Sequence, residues 1–98
     1  MPAYVISDVT FHDAAAREAY RTRAAASIAR HGGRYLARGG AVETLEGSWR
    51  PRPLIIVEFP DMERARAWYR SPEYAQALAV RRTALDRNLI FVDGVPPA

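Results

Sequence analysis

Two glycine pairs, Gly32-Gly33 and Gly39-Gly40, bracket the short run Arg34-Tyr35-Leu36-Ala37-Arg38. The first pair can adopt the left-handed backbone that ends a helix. The second releases the run into a loop, so the residues between them read as one short strand. Everything before this punctuation must then supply a strand and a helix, and everything after it a strand, helices and a strand.

The flanking segments fit that frame. Ala3 to Phe11 is rich in β-branched and aromatic residues and reads as the first strand. Asp13 is placed to accept the free amides of a helix running from about Ala14 to Arg30, in which alanine and arginine favour the helical state. Tyr20, Ala24, Ile28 and His31 form its thin inward stripe. Gly39 to Pro53 reads as a loop or irregular hairpin, and Leu54-Ile55-Ile56-Val57-Glu58-Phe59 as the clearest strand. Asp61 caps a short helix through Trp68 and Tyr69. Ser71-Pro72-Glu73 then opens a helix to about Arg87, combining a capping hydroxyl, a proline at the first turn and an acid at the positive helix end. Tyr74, Leu78, Arg81 and Leu85 share one face of that helix. Leu89 to Val92 is the last strand, and Gly94 to Ala98 a tail. The order β-α-β-β-α-β predicts an α+β, ferredoxin-like protomer with a four-stranded antiparallel sheet, the third strand between the first and second.

Such a sheet, covered by helices on one side, normally alternates apolar with polar residues. Here it does not. Val5, Val9 and Phe11 oppose Tyr4 and Ile6 on the first strand, and Leu54 and Ile56 oppose Ile55, Val57 and Phe59 on the third. Both faces need cover, and one helical layer supplies only one. The other would be a large exposed apolar patch, for which the simplest cover is a second copy across a two-fold axis. A homodimer is expected.

Composition narrows the function classes. The 98 residues suit a single domain spanning 1–98. No cysteine is present, which removes disulfides, thiolate nucleophiles and cysteine-held metal or iron–sulfur centres. No apolar run approaches the ~18 residues of a membrane span, and Met1-Pro2-Ala3-Tyr4 does not begin a secretory signal. A cytoplasmic protein without membrane contact is expected. All 14 basic residues are arginine against 11 acids, a modest excess read as genome base composition and not as a nucleic-acid surface. RNA-recognition modules share this topology, but they expose aromatics beside a basic-glycine signature on a central strand. Here that strand reads Arg-Pro-Leu-Ile-Ile-Val-Glu-Phe, and a partner is expected to cover its sheet face, so no RNA binding is expected. The glycine pairs flank a strand and do not open a helix, so they form no phosphate cradle. No Gly-x-Ser-x-Gly elbow exists.

Four motifs in order, Gly32 to Gly40, Leu45-Glu46-Gly47-Ser48-Trp49, Val57-Glu58-Phe59-Pro60 and Trp68-Tyr69-Arg70-Ser71-Pro72-Glu73-Tyr74, resemble the domain-of-unknown-function family 1330 over nearly the whole chain. The resemblance implies a dimeric α/β barrel, two ferredoxin-like protomers closing their sheets together. The wider superfamily includes cofactor-independent monooxygenases, muconolactone-type isomerases and haem enzymes, so the fold alone names no reaction.

Candidate chemistry centres on charges within apolar strands. Asp8, Arg38 and Glu58, with Tyr20 on the first helix and Tyr74 and Arg81 on the last, are expected to line a polar cavity between sheet and helices. There Arg38 and Arg81 would grip a carboxylate and Glu58 would act as acid or base. The same residues fit a structural ion-pair network at a sheet edge or dimer seam. Trp68 and Tyr74, with Tyr69, form either a wall for an aromatic ligand or core. Glu46 and Trp49 are suspects because loops carry sites, and they can equally reach a partner subunit. His31, at the helix C-terminus, is a second acid–base candidate. His12 lies at the far end of the same helix, too distant for a shared metal, and nothing marks a haem ligand. The leading reading is a protein that binds or transforms a small organic acid with no metal or bound cofactor. The alternative is a non-catalytic dimeric module whose charges only fix fold and interface.

Overall fold

The computed structural model describes residues 1–96, and for residues 80–85 the backbone alone. Its elements are β1 (Ala3–Phe11), α1 (Ala14–Arg30), β2 (Arg34–Arg38), β3 (Leu54–Phe59), α2 (Met62–Tyr69), α3 (Pro72–Ala84) and β4 (Leu85–Asp93). The strands form one antiparallel sheet in the order β2-β3-β1-β4, the ferredoxin-like arrangement.

Local chemistry sets the boundaries. The Asp13 carboxylate accepts the Ala15 amide at 2.8 Å to start α1, and the Asp61 carboxylate accepts the Arg64 amide at 2.8 Å to start α2. Ser71 serves both neighbouring helices. Its hydroxyl donates to the Trp68 carbonyl at 2.7 Å and accepts the Tyr74 amide at 3.1 Å. Gly32 ends α1 with a φ of 80°, a conformation costly for any side chain.

The last helix is shorter than its sequence predicts. It ends at Ala84, and β4 begins at Leu85, four positions before the expected Leu89. The template is β1, whose pairing with β4 continues unbroken from Ala3↔Asp93 to Phe11↔Leu85. Ladder bonds to β1 thus outweigh the helical propensity of Leu85-Asp86-Arg87. The consequence is functional, because Arg87 becomes a strand residue facing the helices.

Alternation along the strands divides the sheet into two unlike faces. Ala3, Val5, Ser7 and Val9 of β1 and Val57 and Phe59 of β3 are buried beneath the helices. They pack with Tyr20, Ala24 and Ile28 of α1, Ala65 and Trp68 of α2, and Tyr74 and Ala77 of α3. The outer face carries Tyr4, Ile6, Leu54 and Ile56, together with the exposed Leu36, Ile90 and Val92. It has no second layer, and the protomer is a slab 16 Å deep along its shortest axis.

Gly33 is the tightest point between the layers. A Cβ there would stand 2.7 Å from Phe59 Cε1 and 2.8 Å from Ile28 Cγ2, both inside the core. Gly33→Ala is therefore expected to destabilise the protein by about 1–3 kcal/mol, the usual cost of overpacking. Thermal unfolding followed by circular dichroism checks this, and an unchanged Tm would mean that the layers separate freely.

Candidate functional site

Two features lie between the sheet and the helices. The larger is an open groove of about 340 Å³ at the end of the sheet, lined by Val9, Thr10, Phe11, Arg17, Arg21, Arg38, Gly39, Pro53 and Ile55. Three arginines from two elements line it together with Val9, Phe11 and Ile55, and no carboxylate is among the described lining residues. Arg17 and Arg21 sit one turn apart on α1. Glu18 reaches both only at long range (3.8 and 3.9 Å) and is mostly exposed, so it screens them weakly.

Arg38 reaches the groove because β2 contains a bulge. Tyr35 pairs with Val57, but Ala37 pairs with Ile56, so Leu36 is an extra residue on the bulged strand. Arg34 keeps the outer face, opposite Glu58, whereas Arg38 lies opposite the inward Ile55. Its guanidinium stacks 4.4 Å from the centroid of the Tyr35 ring. Burial pushes the Tyr35 phenol above its usual pKa, while the charges of Arg38 and Arg21 oppose that shift. The Tyr35 ring is thus wedged among positive groups.

The second feature is a cluster deeper in the molecule. The hydroxyls of Tyr20 (α1) and Tyr74 (α3) are hydrogen-bonded at 2.7 Å, and Arg87 (β4) donates to both, reaching Tyr20 at 2.6 Å. Arg87 also lies 5.5 and 5.9 Å from the two ring centroids. No carboxylate pairs with it among the described residues. Its Nε is buried without a hydrogen-bond partner in the protein. A cavity of about 30 Å³ adjoins it, with Ser7, Tyr20, Tyr35 and Arg87 among its lining residues. That is room for a water molecule or two and nothing larger. Ile55 lines both this cavity and the outer groove, so one side chain stands between them.

Burial, and then the neighbouring Tyr74, push the Tyr20 phenol far above its ordinary value, with Arg87 opposing. For Arg87 burial acts to lower the pKa, but the two phenols more than offset it, and the guanidinium stays charged. The cluster is a buried cation solvated by phenols in place of an acid.

The remaining sequence candidates fall elsewhere. Glu58 does not share a cavity with Arg38; it pairs with Arg34 at 2.9 Å on the outer face, because β3 alternates and Glu58 lies opposite Tyr4. Asp8 is also on the outer face, where its carboxylate accepts from Asn88. The expected Asp8–Arg38–Glu58 cavity is therefore split across the sheet. Trp68 is core. Its indole donates to Ser27 Oγ at 3.0 Å and its ring lies 4.3 Å from that of Tyr74. His31 ends α1 with its Nδ1 2.9 Å from the Ser27 carbonyl, away from both features. Glu46 and Trp49 are exposed in the β2–β3 loop. Arg81 lies outside the residues whose side chains are described. Among the described residues no cluster of three His, Asp or Glu is placed to hold a metal ion, and no helix is long and apolar enough to cross a membrane.

Arg17, Arg21 and Arg87 were not foreseen. The signal for the first two was their spacing of four along α1, three residues ahead of Tyr20 and Ala24 on the inward stripe. For Arg87 it was the alternation Arg87-Leu89-Phe91, concealed by the overlong helix.

Residues 2–95 match the family model described as Domain of unknown function (DUF1330). The chain belongs to that family. The ferredoxin-like architecture of this DUF1330 protein recurs in a protein of unknown function from Rhodopseudomonas palustris (TM-score 0.77, 23% identity, covering 98% of this chain and 84% of that one). It recurs in SnoaB, a cofactor-independent oxygenase from Streptomyces nogalater (TM-score 0.67, 18% identity, 98% and 95% covered). A dimeric ferredoxin-like protein of unknown function from Thermobifida fusca also shares it (TM-score 0.60, 18% identity, 94% and 90% covered). At these identities the shared property is the fold. No curated protein matches the DUF1330 chain in sequence.

The Tyr20 shift sets a pH dependence. The unfolded chain releases this phenolic proton near the ordinary value of about 10, whereas the folded chain still holds it. The native state then binds more protons than the unfolded one, so stability falls as pH rises above about 10. Tyr20→Phe is expected to cost about 1.5–3 kcal/mol at neutral pH, the worth of a buried hydrogen bond to a charged group. It should also flatten the decline of Tm above pH 10. Melting curves of both proteins across that range test this; equal slopes would show that Tyr20 titrates as a free phenol.

Proposed function

We propose that this protein binds a small organic acid in the groove at the end of the sheet. The carboxylate lies among Arg17, Arg21 and Arg38 and the apolar body rests on Val9, Phe11 and Ile55. Three arginines beside an apolar wall, with no acid among the described lining residues, carry this reading. Arginine forks match carboxylate geometry. A volume of about 340 Å³ falls within the range of small-molecule sites. Across Ile55 stand the Tyr20 hydroxyl and the positive charge of Arg87, which stabilise negative charge developing on the bound acid. The fold that the chain shares with SnoaB, a cofactor-independent oxygenase, supports a reaction run by such protein groups with no bound cofactor.

The homodimer belongs to the same reading. The bare outer face, with Leu36, Ile90 and Val92 exposed, calls for a second layer. Solved structures with this fold include proteins described as dimeric, from Thermobifida fusca and Bacteroides fragilis. The Arg34–Glu58 and Asp8–Asn88 contacts lie on that face and serve the interface. The two roles of the strand charges are thus divided by the sheet, with ligand on one side and partner on the other.

The test is thermal unfolding against a panel of aromatic and aliphatic carboxylic acids. An acid present at a hundred times its Kd should stabilise the native state by about 2.7 kcal/mol. Arg38→Ala should abolish that stabilisation while its own Tm stays within a few degrees of wild type, since the side chain is exposed. If every acid leaves the wild-type Tm unmoved, or stabilises both proteins equally, the groove is not the site.

A further inference from the structure

We infer that the β2–β3 loop, residues 40–52, is an arm that docks on a second copy of this chain, burying Leu45 and Trp49 against the partner's outer sheet face. The inference rests on the homodimer proposed above and adds a part that the bare sheet does not require.

The arm is shaped but unsupported. Leu45 is 84% exposed and Trp49 67%. A Cβ added at Gly40 or Gly47 would meet nothing within 4 Å. The roots are fixed, by Gly39 donating to the Leu54 carbonyl at 2.8 Å and Val9 to that of Pro53 at 3.2 Å. The tip is held in form by Thr44 and Arg50, which both donate to the Trp49 carbonyl. An ordered loop presenting a tryptophan and a leucine to solvent is an anchor awaiting a pocket, since such side chains dominate interface energetics.

Charge points to a second copy as the occupant. The outgoing half of the arm carries Glu43 and Glu46, the returning half Arg50 and Arg52. None forms an ion pair among the described residues. A patch bearing both signs, separated along one segment, complements itself across a two-fold axis, where each residue meets the other's counterpart. Reach is sufficient. Half of this stretch, extended, spans about 20 Å, against a protomer depth of 16 Å. The arm's roots, Gly39 and Pro53, also line the groove, so docking would brace one rim of the acid site.

The experiment combines light scattering with acrylamide quenching of tryptophan fluorescence on the full chain. Trp68 is buried in the core, so Trp49→Phe reports Trp68 alone and the difference from wild type isolates Trp49. The expected result is a dimer in which Trp49 is quenched several-fold less than a solvent-exposed indole, becoming accessible on dilution to monomer. Leu45→Asp should weaken self-association at least about tenfold with an unchanged far-ultraviolet spectrum. A dimer whose Trp49 is freely quenched, or a Leu45→Asp dimer as tight as wild type, overturns the arm and leaves the homodimer standing. A monomer at every concentration overturns both, and a shielded Trp49 in a monomer shows the arm folded on its own chain.

Discussion

The hydrogen bonds of Arg87 to Tyr20 and Tyr74 hold the two layers of this protein in register. One guanidinium on the last strand grips a phenol from the first helix and another from the last, while the phenols bond to each other. Apolar packing brings sheet and helices together but tolerates small slides between them. A buried charge whose solvation depends on two particular hydroxyls does not, because losing either leaves a desolvated cation short of partners. Phenols in place of a carboxylate also leave the positive charge unneutralised. That charge borders the small cavity, which Ile55 separates from the groove.

Around that fixed point the sheet separates two tasks. The helix side combines a packed core with a mouth of three arginines, and the outer side combines aliphatic residues with paired charges. Alternation along β1, β3 and β4 achieves the separation without any extra element. Residues adjacent in sequence, such as Ser7 and Asp8 or Val57 and Glu58, work on opposite sides of the molecule.

Much of the architecture was legible in the residues. The glycine pairs, the caps at Asp13, Asp61 and Ser71, and the two-sided apolar strands specify the element order and the bare face, because capping and alternation are local properties. The site was less legible, for two non-local reasons. The end of α3 is decided by the length of β1, which pairs with every residue from Leu85 to Asp93, and no propensity within Leu85-Asp86-Arg87 reveals that. Arg38 and Glu58 do not meet, because alternation carries Glu58 to the outer face beside Arg34 while the bulge turns Arg38 inward. Arg38 lines the groove with Arg17 and Arg21, and Glu58 does not.

The bulge at Leu36 makes the side on which Arg38 emerges a matter of parity. Four positions apart on a regular strand, Arg34 and Arg38 would share a side; the extra residue puts them on opposite sides of the sheet. Deleting Leu36 would remove the bulge and leave Ala37 opposite Ile56 and Arg38 opposite Ile55, so the groove would keep its arginine. Pairing all five residues of β2 without a bulge would instead set Arg38 opposite Leu54, on the outer face, and take its guanidinium from the groove. The irregular pairing of β2 is as much a determinant of the groove as the side chains that line it.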